Sequence, residues 1–294
     1  MMQFLVRAVL RGVAMLLFVG CVAAAAQDYG DTPYVQTPQV VVDKMLELAK
    51  VAATDYLIDL GSGDGRMIIT AAKRYGARGF GVDLNKSLVA LSNRNAVKMG
   101  VANRAVFYER DLHETDLTQA DVLTIYLLPE VNLMVRPRIL ALKPGTRLVS
   151  HDYGFGEWPP DIELTMDAPG KPVGRDQKSK VMYWVVPARV AGKWVWKGPN
   201  EMFELQLDQV FQKISGTLNT NGRRATIDKA VLTGEHISFE ATLGEVRHAF
   251  NGKIINNAIT GDMRVAGAAH AWNATRTELR EARFTDLKPG ITAR

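Results

Sequence analysis

The sequence is poor in the side chains that carry thiol and metal chemistry: its 294 residues hold one cysteine, Cys21, and five histidines. A single thiol excludes an internal disulfide. Because Cys21 lies close to the N-terminus, the rest of the chain has no thiolate nucleophile and no cysteine-based zinc site. The histidines show neither His-x-x-x-His spacing nor a His/acid cluster, so no metal is expected. Charge of one sign is scarce as well. With 36 Lys and Arg against 31 Asp and Glu, the net +5 is too weak an excess for a nucleic-acid footprint. Long apolar runs are missing except near the N-terminus, which excludes a polytopic membrane protein, and 47% apolar with 23% charged side chains excludes a disordered chain. This length leaves room for about two domains.

The apolar run extends from Gly12 to Ala26, follows Arg7 and Arg11, and ends in Ala24-Ala25-Ala26 before Gln27-Asp28. A basic flank, a short apolar stretch and small residues at its end describe a secretory signal peptide, residues 1–26, and a periplasmic or envelope location. Two other readings of the segment stay open. One is a lipoprotein signal ending at Cys21; the other is an uncleaved anchor near the membrane, although the run is shorter than the roughly 20 residues that span a bilayer.

Helical spacing of Val41, Val42, Met45, Leu46 and Ala49 predicts an amphipathic helix entered through Thr37-Pro38. Apolar strands are expected at Tyr56 to Leu60, Gly79 to Val82, Ala105 to Tyr108, Asp121 to Tyr126 and Thr146 to Ser150, with helices at Arg66 to Tyr75, Ser87 to Met99 and Pro129 to Leu142. This alternation implies a parallel, Rossmann-like α/β sheet, and Ile162 to Met166 with Val181 to Val186 would add an antiparallel edge pair. The domain is placed at 39–188, after an N-terminal lid segment at 27–38. There Tyr34 and Thr37 could cover a cofactor.

The turn after the first strand reads Gly61-Ser62-Gly63-Asp64-Gly65, with Asp59 two residues before it. A dinucleotide fold wants Gly-x-Gly-x-x-Gly so that pyrophosphate can sit on the helix N-terminus. The Gly-x-Gly-x-Gly spacing instead favours S-adenosylmethionine (SAM), which has no phosphate but has an ammonium, a carboxylate and a ribose diol. Glycines at 61, 63 and 65 let the backbone approach the cofactor around Ser62. Asp59 would face the ammonium, Asp83 at the end of the second strand the ribose hydroxyls, and Asp111 the adenine amino group. Each acid taken alone is most simply a solvated strand-end carboxylate; their joint placement after successive strands carries the reading.

Residues 33–160 resemble the seven-strand (class I) protein-lysine methyltransferases that act on the ATP synthase c-subunit and the adenine nucleotide translocase. The similarity lies in Pro33-Tyr34-Val35, Asp59 to Arg66, Gly81-Val82-Asp83-Leu84-Asn85, Arg110-Asp111-Leu112 and Tyr126-Leu127-Leu128-Pro129, of which Asp59 to Arg66 is the most specific. It implies methyl transfer to a lysine amine of a protein substrate. Tyr126 to Pro129 would then supply an apolar slot that favours the neutral amine, with Tyr126, Pro129 and His151 as candidate catalytic residues. No Asn/Asp-Pro-Pro-Tyr motif stands here, which argues against adenine or glutamine methylation. A small-molecule or lipid methyltransferase, and an exported binding module that has lost turnover, remain alternatives.

Beyond Pro187 the pattern changes to short alternating stretches punctuated by Gly, Asn and Asp. This predicts a small all-β antiparallel barrel or meander at 189–276, with Trp194, Trp196, Phe203, Phe211, Phe239, Phe250 and Trp272 as its core. Residues 277–294 read as a loosely held tail.

Overall fold

The computed structural model describes residues 34–284. The signal-peptide reading of 1–26, Cys21 and the end of the tail lie outside the described residues. The chain divides into an N-terminal unit, Met1–Tyr34, and a compact unit, Val35–Arg294. The latter contains two sheets.

Helix α1 (Gln39–Leu48) buries Val41, Val42, Met45 and Leu46, the stripe that its spacing dictates. Strand β1 (Tyr56–Leu60) runs into α2 (Arg66–Thr70), which finishes as a π-helical turn over Ala71–Tyr75 and is closed by Gly76. Then follow β2 (Arg78–Asp83), α3 (Lys86–Lys98), β3 (Ala105–Glu109), β4 (Val122–Ile125), α4 (Pro129–Ile139), β5 (Arg147–His151), β6 (Ile162–Asp167) and β7 (Lys178–Val185). The seven strands are ordered β3-β2-β1-β4-β5-β7-β6, with β7 antiparallel to both its neighbours, as the sequence led one to expect of this edge. The strand order switches direction between β1 and β4, which run parallel to each other. Ligands of open α/β sheets collect outside the carboxyl ends of the strands at such a switch point.

The second sheet comprises β8 (Gly192–Lys197), β9 (Met202–Val210), β10 (Lys213–Thr220), β11 (Arg223–Thr226), β12 (Asp228–Thr233), β13 (His236–Leu243), β14 (Val246–Ile255), β15 (Ala258–Val265) and β16 (Ala268–Leu279). Its order is β11-β10-β9-β8-β16-β15-β14-β13-β12. The two end strands are consecutive in the chain, and between them Ile227 N–H donates to Gly216 O at 3.1 Å, so the sheet curls almost into a barrel. Its interior is the expected aromatic core, with Trp194, Trp196, Phe203, Phe239, Phe250 and Trp272 all buried.

Three features differ from the sequence-based expectation. The stretches Glu245 to Phe250 and Gly252 to Ile255 form the single strand β14, because Gly252 does not break it: a Cβ there would stand 2.9 Å from both Ile259 and Trp272, so the glycine makes room for the indole. Phe211 is not in the barrel core. It sits at the β9–β10 turn in the left-handed region (φ 52°), 6.2 Å from the Trp158 ring and 5.8 Å from the Arg136 guanidinium, within the core of the first sheet. Beside it Gln212 accepts from Trp158 Nε1 at 3.1 Å and donates to Pro159 O at 2.7 Å, plugging one sheet into the other. Finally, the tail is held as far as Phe284: β16 runs to Leu279, Phe211 N–H donates to Arg283 O at 3.1 Å, and Arg189 lies over the Phe284 ring.

Candidate cofactor and acceptor site

The glycine loop after β1 is closed by its own backbone. Gly61 and Ser62 N–H both donate to Val82 O, at 3.0 and 2.9 Å, and Gly65 N–H donates to Ser62 O at 2.9 Å. Position 65 admits glycine alone on two counts: its φ is 82°, and a Cβ would fall 2.6 Å from Phe107 and 2.7 Å from Ser92. Position 61 shares the left-handed backbone, with φ 77°, and a Cβ there would meet only the end of the Leu127 side chain, at 2.7 Å. Ser62 turns its Oγ inward against Gly81, buried and without a hydrogen-bond partner, so its contribution to the loop comes from its backbone.

Asp83 ends β2 and ties the loop to α3, accepting from Gly63 N–H and Asn85 N–H at 2.9 Å each, while the Asn85 side chain caps that helix. Arg66 ion-pairs with Asp64 at 2.5 Å and donates to Thr37 O at 2.6 Å, which fastens the segment before α1 to the glycine loop. Asp111, after β3, accepts from His113 N–H at 2.7 Å in a turn. Tyr34 is the described residue of the N-terminal unit and is partly exposed.

Asp59 is buried under the loop, and Thr124 Oγ1 on β4 donates to it at 2.6 Å. Burial pushes its carboxyl up to about 7; the Thr124 hydrogen bond opposes this, and the carboxylates of Asp83 and Asp64 add to it. A buried acid among other acids is relieved by a cation. SAM carries an ammonium and a sulfonium, so the electrostatics of the loop fit it, as does a floor in which backbone conformation at 61 and both conformation and space at 65 favour glycine.

A second cluster lies at the carboxyl ends of β4 and β5. His151 is fully buried, its Nδ1 3.2 Å from Thr37 Oγ1, its Nε2 2.8 Å from Ser179 Oγ, and its ring centroid 4.0 Å from that of Tyr126. Burial pushes its pKa down to about 4, with Lys171 adding to that and Asp152 opposing, so the imidazole is neutral at physiological pH. Burial, then the Asp152 charge, raises the Tyr126 phenol above its ordinary range, so it remains a donor, and its OH lies 3.5 Å from Asp152 Oδ2. The structure thus gathers Thr37, Tyr126 and His151. Pro129 starts α4 on the surface and stands outside this cluster.

Sequence reasoning missed Asp64, Arg66, Thr124, Lys171 and Ser179 as members of the site. Asp64 and Arg66 were legible from their place in the glycine motif, and Asp152 stands beside His151 at a strand end, where sequence reasoning places a general base or substrate contact against a plain strand-end turn. Lys171 and Ser179 carried no local signal.

The strand order, the glycine loop after β1 and the acids at successive strand ends define a class I SAM-dependent methyltransferase. The family model described as "ANTKMT methyltransferase domain" matches residues 59–162. A protein-lysine N-methyltransferase of Saccharolobus islandicus is 45% identical over 130 residues, 44% of this chain and 81% of that protein. The mouse (Mus musculus) ATP synthase c-subunit lysine N-methyltransferase is 36% identical over 106 residues, 36% of this chain and 42% of that protein, so this chain spans under half of that relative's length. A crystal structure described as an RNA methyltransferase from Salinibacter ruber in complex with S-adenosyl-L-homocysteine has 46% identity and a TM-score of 0.48, covering 53% of this chain and 96% of that one. The chain belongs to this family of SAM-dependent methyltransferases, and SAM is its cofactor.

Proposed function

We propose that the acceptor is a lysine ε-amine of a protein. The observation that carries this is the 45% identity across most of a protein-lysine N-methyltransferase. In this reading Asp59 would face the cofactor ammonium, Gly61, Gly63 and Gly65 would form its floor, Asp83 would take the ribose hydroxyls and Asp111 the adenine amino group, with Thr37 as part of a lid. Bound SAM supplies an electrophilic methyl group on a sulfonium. What the chain contributes is position and dryness. A lysine docks protonated and must lose that proton before transfer, which from an ordinary pKa costs about 4.6 kcal/mol at pH 7; the rings of Tyr126 and Tyr153, 6.3 Å apart, and the apolar Leu127 and Leu128 beside Tyr126 in the chain lower that cost by desolvation. His151, buried and engaged at both nitrogens, acts as a positioning residue: it fixes Tyr126 through ring contact and Thr37 through a hydrogen bond.

The test is methyl transfer from labelled SAM by the purified full chain into a cell extract. Label that survives lipid extraction and ribonuclease, and that appears as methyl-lysine after acid hydrolysis, is the expected result. Label in lipid or in RNA would overturn the reading.

We also propose export through residues 1–26, supported by their basic flank, apolar run and alanine-rich end. A phosphatase fused after residue 40 should be active; an inactive fusion would place the enzyme on the cytosolic side, with its cofactor supply.

A further inference from the structure

We infer that Asp152 forms the subsite for the ammonium group of the acceptor, and that Lys171 fills this subsite when no acceptor is bound. The inference rests on the lysine reading above.

Lysine is among the residues least often buried. Between β6 and β7, every residue from Pro169 to Gln177 is exposed except Lys171. Its side chain is 9% exposed, and its ammonium reaches Asp152 Oδ2 at 2.7 Å while donating to Lys178 O at 2.6 Å. An otherwise solvated loop therefore inserts one cation into the protein, and the place it enters is the cluster at the carboxyl ends of β4 and β5. Asp152 follows β5 directly, and its Oδ2 lies 3.5 Å from both the Tyr126 hydroxyl and His151 Nε2.

The carboxylate is built to stay where it is. Asp152 holds a left-handed backbone (φ 60°), a cost for any residue with a side chain. Its backbone N–H donates to Lys180 O at 2.9 Å, and its Oδ1 accepts from Lys180 N–H at 3.0 Å. One carboxylate oxygen is thus anchored and the other is presented to a primary ammonium carried on a lysine stem. That is the group a lysine substrate would bring. Lys171, being tethered, competes at high effective concentration, and an acceptor has to displace it.

The probe is butylammonium, the end of a lysine side chain, titrated by calorimetry into the full chain saturated with S-adenosyl-L-homocysteine, with 1-butanol as the uncharged control. Lys171→Gln should bind butylammonium at least about tenfold tighter than the wild type, because the internal competitor is gone. Adding Asp152→Asn should remove that gain, and 1-butanol should not distinguish the three proteins. Lys171→Met keeps the apolar stem and serves if the Gln variant does not fold by circular dichroism. Equal butylammonium binding by wild type and both Lys171 variants would overturn the inference, as would a gain that survives Asp152→Asn. The two readings fail separately: methyl-lysine in the extract without a butylammonium response sinks the subsite alone, whereas the expected response with label only in lipid or RNA sinks the protein-lysine reading and leaves an ammonium subsite.

Discussion

In the sheet of β1 to β7 the buried polar side chains Asp59, Thr124, Ser150 and His151 cluster toward the carboxyl ends of parallel strands, whereas the sheet of β8 to β16 fills its interior with indole and phenyl rings. Each polar group of the first set has a named partner: Asp59 with Thr124, Ser150 with Tyr153 O, His151 with Thr37 and Ser179. In the second sheet the Trp196 and Trp272 N–H groups are buried with no acceptor, an outcome that ring packing outweighs. Parallel strands joined by helices leave their ends free for loops, which is where the candidate site gathers. A nearly closed antiparallel sheet consumes its inner face in packing, which leaves its outside and the β9–β10 turn for other contacts.

Breaking the packed half should cost the most stability and the least chemistry. Trp272→Ala is expected to destabilise the protein by about 3–5 kcal/mol in urea unfolding, while SAM affinity in the folded variant, read by calorimetry, stays within about twofold of wild type. The converse substitution, Asp83→Ala, removes a carboxylate that binds two backbone N–H groups and is assigned to the ribose. It should weaken SAM binding by about 1.5–3 kcal/mol, and unchanged affinity would refute that assignment. At the junction, Gln212→Ala leaves Trp158 Nε1 without its acceptor and should cost about 1–3 kcal/mol of stability; an unaltered urea midpoint would show that the plug does not couple the sheets.

The smallest effect is a pH dependence. Asp59 has its pKa raised to about 7 against an ordinary 3.8, so in the free protein its contribution to stability is present at low pH and is lost as pH rises through that window. A cationic cofactor favours the ionised carboxylate, so SAM affinity should climb by up to about tenfold per pH unit below 7 and level off above it. Asp59→Asn should flatten the profile, and a wild-type profile already flat between pH 5 and 8 would remove Asp59 from the cofactor site.

Much of the first sheet was legible because its signals are local. Apolar strands, the amphipathic stripe of α1 and a glycine turn between strand and helix each act over a few residues. In the second sheet the same rules misled at Gly252, where spacing alone cannot tell a turn glycine from one that admits a tryptophan. Phe211 read as barrel core because it is apolar and falls among the short strand-like stretches, yet it stands at the β9–β10 turn and packs into the neighbouring sheet. Strand β11, short and partly exposed, had no hydrophobic period to announce it.

By itself, then, the sequence determined the succession of strands and helices, the glycine loop with Asp59, and the choice of SAM over a dinucleotide, because periodicity and turn chemistry are written within single segments. Only the tertiary structure decided that His151 meets Thr37 across 114 residues, that Lys171 enters the Asp152 subsite and that Phe211 plugs the second sheet into the first. Those contacts depend on strand order and loop path, which bring together residues with no common local pattern.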